Sequence, residues 1–151
     1  MWTKTQLAYF AGIIDGEGCI CIYARTHKNK TIDYFPRLQM MNTSKELLEW
    51  VTSNIGGMVV TRLSKNPKWK TRYEWYTQRH LMDKIAPAIL PYIVIKKRQI
   101  EILIEFRNTF NIHYGSKGVP EEVYKTRHNL ITQLKSLNKR GPLPSPMSPS
   151  A

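Results

Sequence analysis

Phe10-Ala11-Gly12-Ile13-Ile14-Asp15-Gly16-Glu17-Gly18 is an apolar segment with small residues at helical spacing that ends in carboxylates. Just before it, Thr3-Lys4-Thr5-Gln6 has the form of a capping box, and Trp2 and Leu7 occupy the two positions of a hydrophobic staple, so a helix begins at Lys4. Ala8, Gly12 and Gly16 recur every fourth residue and share one helical face. Side chains without bulk on one face let a second backbone come close. Glycine in a helix interior costs about 1 kcal/mol relative to alanine, and tight packing against another helix would offset that.

The helix ends in Asp15-Gly16-Glu17-Gly18, which sets two carboxylates where the unpaired carbonyls and the negative dipole end already disfavour negative charge. A divalent cation removes that conflict. Mg²⁺ takes one or two carboxylates, further oxygen ligands and water, and commonly sits beside phosphate. The alternative is a plain turn with solvated acids.

Downstream, Cys19 to Arg25 has strand composition, a basic tip with His27, Lys28 and Lys30 follows, and a second strand spans about Tyr34 to Met41. Ser44 opens a helix closed by Gly56-Gly57. Strands are expected near Met58 to Leu63 and Thr71 to Thr77, joined by a loop carrying Lys65, Lys68 and Lys70. A short helix from Arg79 to Ile85 is stopped by Pro87, and longer helices span Lys96 to Asn108 and Glu121 to Leu137. One domain covers 1–140, and 141–151 is a Pro/Ser-rich tail expected to be disordered.

Alternation sorts the strand faces. Cys21, Tyr23 and Arg25 share one side with Cys19, and Ile20 and Ile22 the other; Arg37, Gln39 and Met41 oppose Leu38 and Met40; Arg72, Glu74 and Tyr76 oppose Tyr73 and Trp75. With helices on one face, the open face is polar, basic and aromatic. Arg and Gln match guanine and adenine edges, and a β-ribbon fits the major groove; an ordinary solvated sheet face is the other reading. Alternation leaves open whether Thr61 or Arg62 faces that side.

Lys and Arg number 23 against 11 acids in 151 residues, a net charge of +12 that suits a polyanion. Charge does not separate DNA from RNA. Two cysteines with no C-x-x-C spacing point to an intracellular, reducing compartment, such as prokaryotic cytoplasm or an organelle. No apolar run reaches membrane-spanning length, so no membrane partner is expected. The four histidines form no metal-ligand spacing.

The nonapeptide resembles the signature of the LAGLIDADG homing endonucleases, with Phe10 through Gly18 in its nine places; a single copy resembles the one-motif, homodimeric branch. The resemblance implies an α+β fold of order αββαββα, in which a four-stranded antiparallel saddle carries helices on one face and the motif helix forms a homodimer. It implies Ala8, Ala11, Gly12 and Asp15 at the dimer interface, and Glu17 with the Gly16 carbonyl as ligands for Mg²⁺, a site that Mn²⁺ or Ca²⁺ could also occupy. DNA contacts would come from Cys21, Tyr23, Arg25, Lys28, Lys30, Arg37, Gln39, Met41, Arg72, Glu74 and Tyr76, with Asn42 and Ser44 near an active-site water network. The family's active-site lysine falls best on Lys96, with Lys97 and Arg98 as neighbouring registers, so Glu17 and Lys96 are the expected catalytic residues.

The implied activity is a site-specific, metal-dependent, staggered double-strand cut leaving 3′ overhangs in a long pseudo-palindromic DNA, by the product of an intron- or intein-associated reading frame. Two alternatives share the fold: an RNA maturase acting on intron RNA, and a DNA-binding protein without the chemistry. The Lys96-Lys97-Arg98 cluster at a helix start is unfavourable for the dipole and points to a bound anion or carboxylates nearby, a plain solvated helix end being the other reading.

Overall fold

The computed structural model describes residues 1–139; the domain boundary at 140 and the tail 141–151 lie outside them. Helix α1 (Lys4–Glu17) starts on the capping box: the Thr3 hydroxyl accepts from the Gln6 N–H at 3.1 Å and the Gln6 amide oxygen accepts from the Thr3 N–H at 2.9 Å. It buries Phe10, Ala11, Ile13 and Ile14. Strand β1 (Gly18–Thr26) follows without a loop. A Cβ at Gly18 would lie 2.7 Å from the Ile14 carbonyl oxygen, so only glycine allows so abrupt a change from helix to strand.

β1 pairs antiparallel with β2 (Ile32–Asn42), β2 with β4 (Arg72–Tyr76), and β4 with β3 (Met58–Arg62), giving the order β1-β2-β4-β3. Where β4 ends, the Thr77 N–H donates to the Leu38 carbonyl at 2.9 Å and the Leu38 N–H donates to the Thr77 hydroxyl at 3.1 Å, which prolongs the pairing by a side chain. Helix α2 (Lys45–Asn54) is capped by Ser44, whose hydroxyl accepts from the Leu47 N–H at 3.3 Å. Gly56 and Gly57, with φ of 107° and 94°, turn the chain into β3, and a side chain at Gly57 would overlap the Trp75 indole.

Helices α3 (Arg79–Ile89), α4 (Lys97–Asn108) and α5 (Glu121–Asn138) complete the helical layer. α3 runs four residues past the end expected from Pro87. Proline there removes the N–H that would reach the Asp83 carbonyl, but both residues lie on the exposed side, where water can serve that carbonyl. Met82, Ile85, Ala86 and Ile89 meanwhile bury a continuous stripe, and that packing outweighs the lost bond.

One core joins the layers, with Trp75 and Phe10 in edge-to-face contact at 5.4 Å between ring centres. α5 lies against the free edge of β1, and Asn138 Nδ2 donates to the Ile20 carbonyl at 2.7 Å. That contact blunts an edge otherwise open to pairing. Arg127 of α5 is buried, donates to Thr109 at the end of α4, and stacks 3.8 Å from the Phe110 ring centre. Its charge complements the negative end of α4. Among the described residues no helix is long and apolar enough to cross a membrane.

Candidate nucleic-acid interface and acid site

The register fixes which side chains share the open face. Cys21 stands opposite Arg37, Tyr23 opposite Phe35, Arg25 opposite Asp33, Gln39 opposite both Cys19 and Tyr76, and Met41 opposite Glu74. These directly paired residues point the same way, so the expected strand residues do form one surface. Lys28 and Lys30 lie at its end, exposed in the β1–β2 tip. Arg62 pairs with Arg72 and donates to Glu74 at 2.8 Å, while Thr61 pairs with Tyr73 on the other side. Arg62 is therefore an open-face residue that alternation alone could not assign; only the β3–β4 pairing reveals it.

The face is preorganised. The Arg37 guanidinium sits 4.8 Å from the Tyr76 ring centre and 5.9 Å from that of Tyr23, and Gln39 Nε2 donates to the Tyr23 hydroxyl at 3.1 Å. The Cys21 hydrogen bond holds the Cys19 thiol down to about 6, against the effect of burial and with help from the Lys96 charge. Cys21 itself is pushed upward by giving that bond and by burial.

At the C-terminus of α1 the two acids part company. They are two residues apart, so they leave the helix on nearly opposite sides. The Asp15 carboxylate accepts from the N–H groups of Val94, Ile95 and Lys96 at 2.7, 3.1 and 3.0 Å. It thereby caps α4, whose N-cap residue Lys96 has no side-chain cap bond of its own. The carboxylate expected beside the cation cluster is this one.

Lys96 answers in the opposite direction: its ammonium donates to the carbonyls of Ile14 at 2.9 Å and Gly18 at 2.5 Å, at the negative end of α1. Of the three neighbouring cations Lys96 reaches α1, Lys97 is exposed, and Arg98 turns to Glu101, Glu105 and Gln133.

Glu17 is exposed and makes no hydrogen bond or ion pair among the described residues. It borders a shallow depression of about 370 Å³ with Met41, Asn42, Thr43 and Arg72. No described side chain donates to the Gly16 carbonyl beside it. A free carboxylate and a free carbonyl at the negative end of a helix fit a hard divalent cation. Among the described residues no three His, Cys, Asp or Glu side chains cluster as a metal site.

One expected role is corrected, and two further residues have partners inside the chain. Ala11 is fully buried inside this chain, because its position falls on the stripe of Leu7 and Ile14, and it cannot meet a partner helix. Asp15, half-buried, gives its carboxylate to the N–H groups of Val94, Ile95 and Lys96. Ser44 serves as the cap of α2, its own N–H donating to Asn42 Oδ1 at 2.8 Å, and Asn42 lines the depression beside Glu17. Ala8 and Gly12 remain exposed with Gly16, and a Cβ at Gly12 or Gly16 would meet nothing within 4 Å.

A helix-backed saddle with an open basic and aromatic face, leading to a lone acid at a glycine-notched helix end, defines the fold of the LAGLIDADG homing endonucleases. Among solved structures the chain resembles the homing endonuclease I-CvuI in complex with its target, with TM-score 0.71, 17% identity and coverage of 91% of this chain and 84% of that one. It resembles the archaeal intron-encoded homing endonuclease I-Vdi141I complexed with DNA, with TM-score 0.73, 15% identity and coverage of 94% and 89%. The LAGLIDADG homing endonuclease I-GzeII in complex with its DNA target matches at TM-score 0.61 and 18% identity over 85% of this chain and 43% of its own. At these identities the likeness is one of fold. No protein-family model and no curated protein matches the sequence.

Proposed function

We propose that this chain is a site-specific DNA endonuclease of the homing type that acts as a Mg²⁺-dependent homodimer. The observation that carries the reading is the unspent Glu17 carboxylate, set where the exposed glycine face of α1 meets the open sheet. Two copies joined through Ala8, Gly12 and Gly16 would bring both Glu17 side chains and both Gly16 carbonyls together. When bound there, Mg²⁺ supplies Lewis acidity that lowers the pKa of a water and neutralises charge on the phosphate.

The rest of the chemistry belongs to the chain's own groups. Arg37, Gln39, Arg62 and Arg72 offer donors to base edges and phosphates, and Tyr23 and Tyr76 hold Arg37 in place. Lys96 fixes the end of α1 and supplies the nearby positive charge that steadies the reacting phosphate. A two-fold dimer reads a nearly palindromic target, and the family resemblance suggests a staggered cut with 3′ overhangs and an intron- or intein-borne origin. The free thiols of Cys19 and Cys21 support action in a reducing compartment.

The test is incubation of the protein with Mg²⁺ and a randomised duplex library, followed by sequencing of cut ends. Staggered ends clustered at one motif are expected. Glu17→Gln should abolish cutting while binding survives, and affinity should fall with salt at a log–log slope of about −0.9 per phosphate neutralised. Equal cutting by Glu17→Gln refutes the metal role, and a flat salt response refutes the DNA saddle.

A further inference from the structure

The β3–β4 loop carries a feature the proposed chemistry does not use. Of the four tryptophans, Trp75 is buried, Trp2 and Trp50 are half-buried, and Trp69 is 66% exposed. The loop holds it there: Asn66-Pro67-Lys68-Trp69 is a tight turn in which the Trp69 N–H donates to the Asn66 carbonyl at 3.1 Å, and the Lys68 N–H donates to Asn66 Oδ1 at 3.0 Å. Lys68 and Lys70 flank the indole, and no acid lies between Leu63 and Arg72. A large apolar ring set among cations suits a polyanion that also offers aromatic faces, and it repels a second copy of a chain bearing +12.

Position narrows the partner further. Trp69 lines a concavity of about 370 Å³ with Thr43, Lys68, Lys70 and Arg72, and Thr43 and Arg72 also line the depression beside Glu17. The aromatic platform is thus continuous with the acid site, at the opposite end of the sheet from the β1–β2 tip.

We infer that Trp69 packs as an aromatic wedge against a base step of duplex DNA next to the phosphate that is cut, with Lys68 and Lys70 on the flanking phosphates. This rests on the DNA-endonuclease reading. Trp69 is a positioning residue: wedging a step deforms the duplex, and Lys68 and Lys70 fix the backbone relative to Glu17.

The experiment measures acrylamide quenching of tryptophan fluorescence in the full chain, alone, with a mixed-sequence DNA duplex at low salt, and with heparin, a polyanion without bases. The duplex should suppress quenching by about half, heparin should not, and Trp69→Phe should abolish the duplex effect because the exposed indole supplies most of the signal. In titrations of the same duplex, Trp69→Ala should lose affinity about tenfold, the worth of one base–aromatic stack, while Trp69→Phe retains most of it. Tight duplex binding with unchanged quenching, equal shielding by heparin, or an Ala variant that binds like wild type overturns the wedge and leaves the endonuclease reading standing. A wild-type chain that binds no duplex overturns both.

Discussion

Replacing Asp15 by alanine tests the joint between α1 and α4. Its carboxylate accepts three main-chain N–H bonds of 2.7, 3.1 and 3.0 Å and acts as the cap that α4 otherwise lacks. Loss of a helix cap costs about 1–2 kcal/mol, and loss of the anion at the positive dipole end about 0.3–1 more. Those donors are partly exposed, so water recovers some of the loss, and a net cost of about 2 kcal/mol is expected. In a chain of this size that lowers the thermal midpoint by about 4–8 °C.

Asp15→Asn, which keeps the shape and one acceptor oxygen, should lose about half as much. Lys96→Met should cost about 1–2 kcal/mol, because it frees the carbonyls of Ile14 and Gly18. The double variant should lose less than the sum, by about 0.5 kcal/mol or more, since both side chains hold one joint. Glu17→Gln is the control and should shift stability by less than about 0.5 kcal/mol, because no described residue bonds that exposed carboxylate. Thermal unfolding followed by circular dichroism at one fixed protein concentration decides it, as a dimer's midpoint varies with concentration. A wild-type midpoint for Asp15→Ala, or strict additivity with Lys96→Met, refutes the reciprocal cap.

A Cβ at Gly12 meets no described atom within 4 Å, so for Gly12→Leu the fold should persist and gain about 0.5–1 kcal/mol in helix propensity while the dimer and the cutting are lost. Sedimentation that still shows a dimer would exclude this face of α1 as the interface. Gly57→Ala should destabilise by about 2–4 kcal/mol, because φ is 94° and the new methyl overlaps the Trp75 indole; a urea midpoint unchanged from wild type refutes it. The Arg107 fork, donating to both Asp83 oxygens at 2.7 and 2.8 Å, holds the Asp83 carboxyl below its usual range. Its folded pKa lies below its unfolded one, so the pair's stabilisation is complete above the ordinary aspartate range and fades as pH falls through the folded value. Arg107→Leu should flatten that acid limb in a pH series of unfolding curves, and an unchanged limb would show that the pair contributes nothing.

What could be read from the residues alone was local. The capping box at Thr3-Gln6, the helix-to-strand change at Gly18 and the two-residue alternation of β1, β2 and β4 each rest on neighbours in the chain, and each appears in the structure. The burial of Ala11 is local as well, because it falls with Leu7 and Ile14 on any helical wheel, whereas its place at the dimer interface is implied by the resemblance alone. The partners of Asp15 lie 79 to 81 residues away and leave no local signal. Arg62 needed the β3–β4 register, and the passage of α3 through Pro87 needed the buried stripe of Met82, Ile85, Ala86 and Ile89, whose packing local propensity does not contain.

The conflict visible at the end of α1 is resolved by dividing it. A helix C-terminus carrying two carboxylates is unfavourable by its dipole, and the chain offsets one of them entirely from within: Asp15 is turned onto the N–H groups ahead of α4, and the Lys96 ammonium is laid on the α1 carbonyls. Having found an internal partner for one acid, the same fold leaves Glu17 with none among the described residues, although Lys96 is already at that helix end and Arg72 borders the same depression. Were Glu17 merely a solvated turn residue, a methylene more or less would not matter to its neighbours. Were it a ligand, its carboxylate would have to reach the place where the two helices of a dimer meet. Glu17→Asp separates the two cases: it keeps the charge, shortens the reach, and should weaken Mg²⁺-supported cutting while leaving DNA affinity and the thermal midpoint where they were.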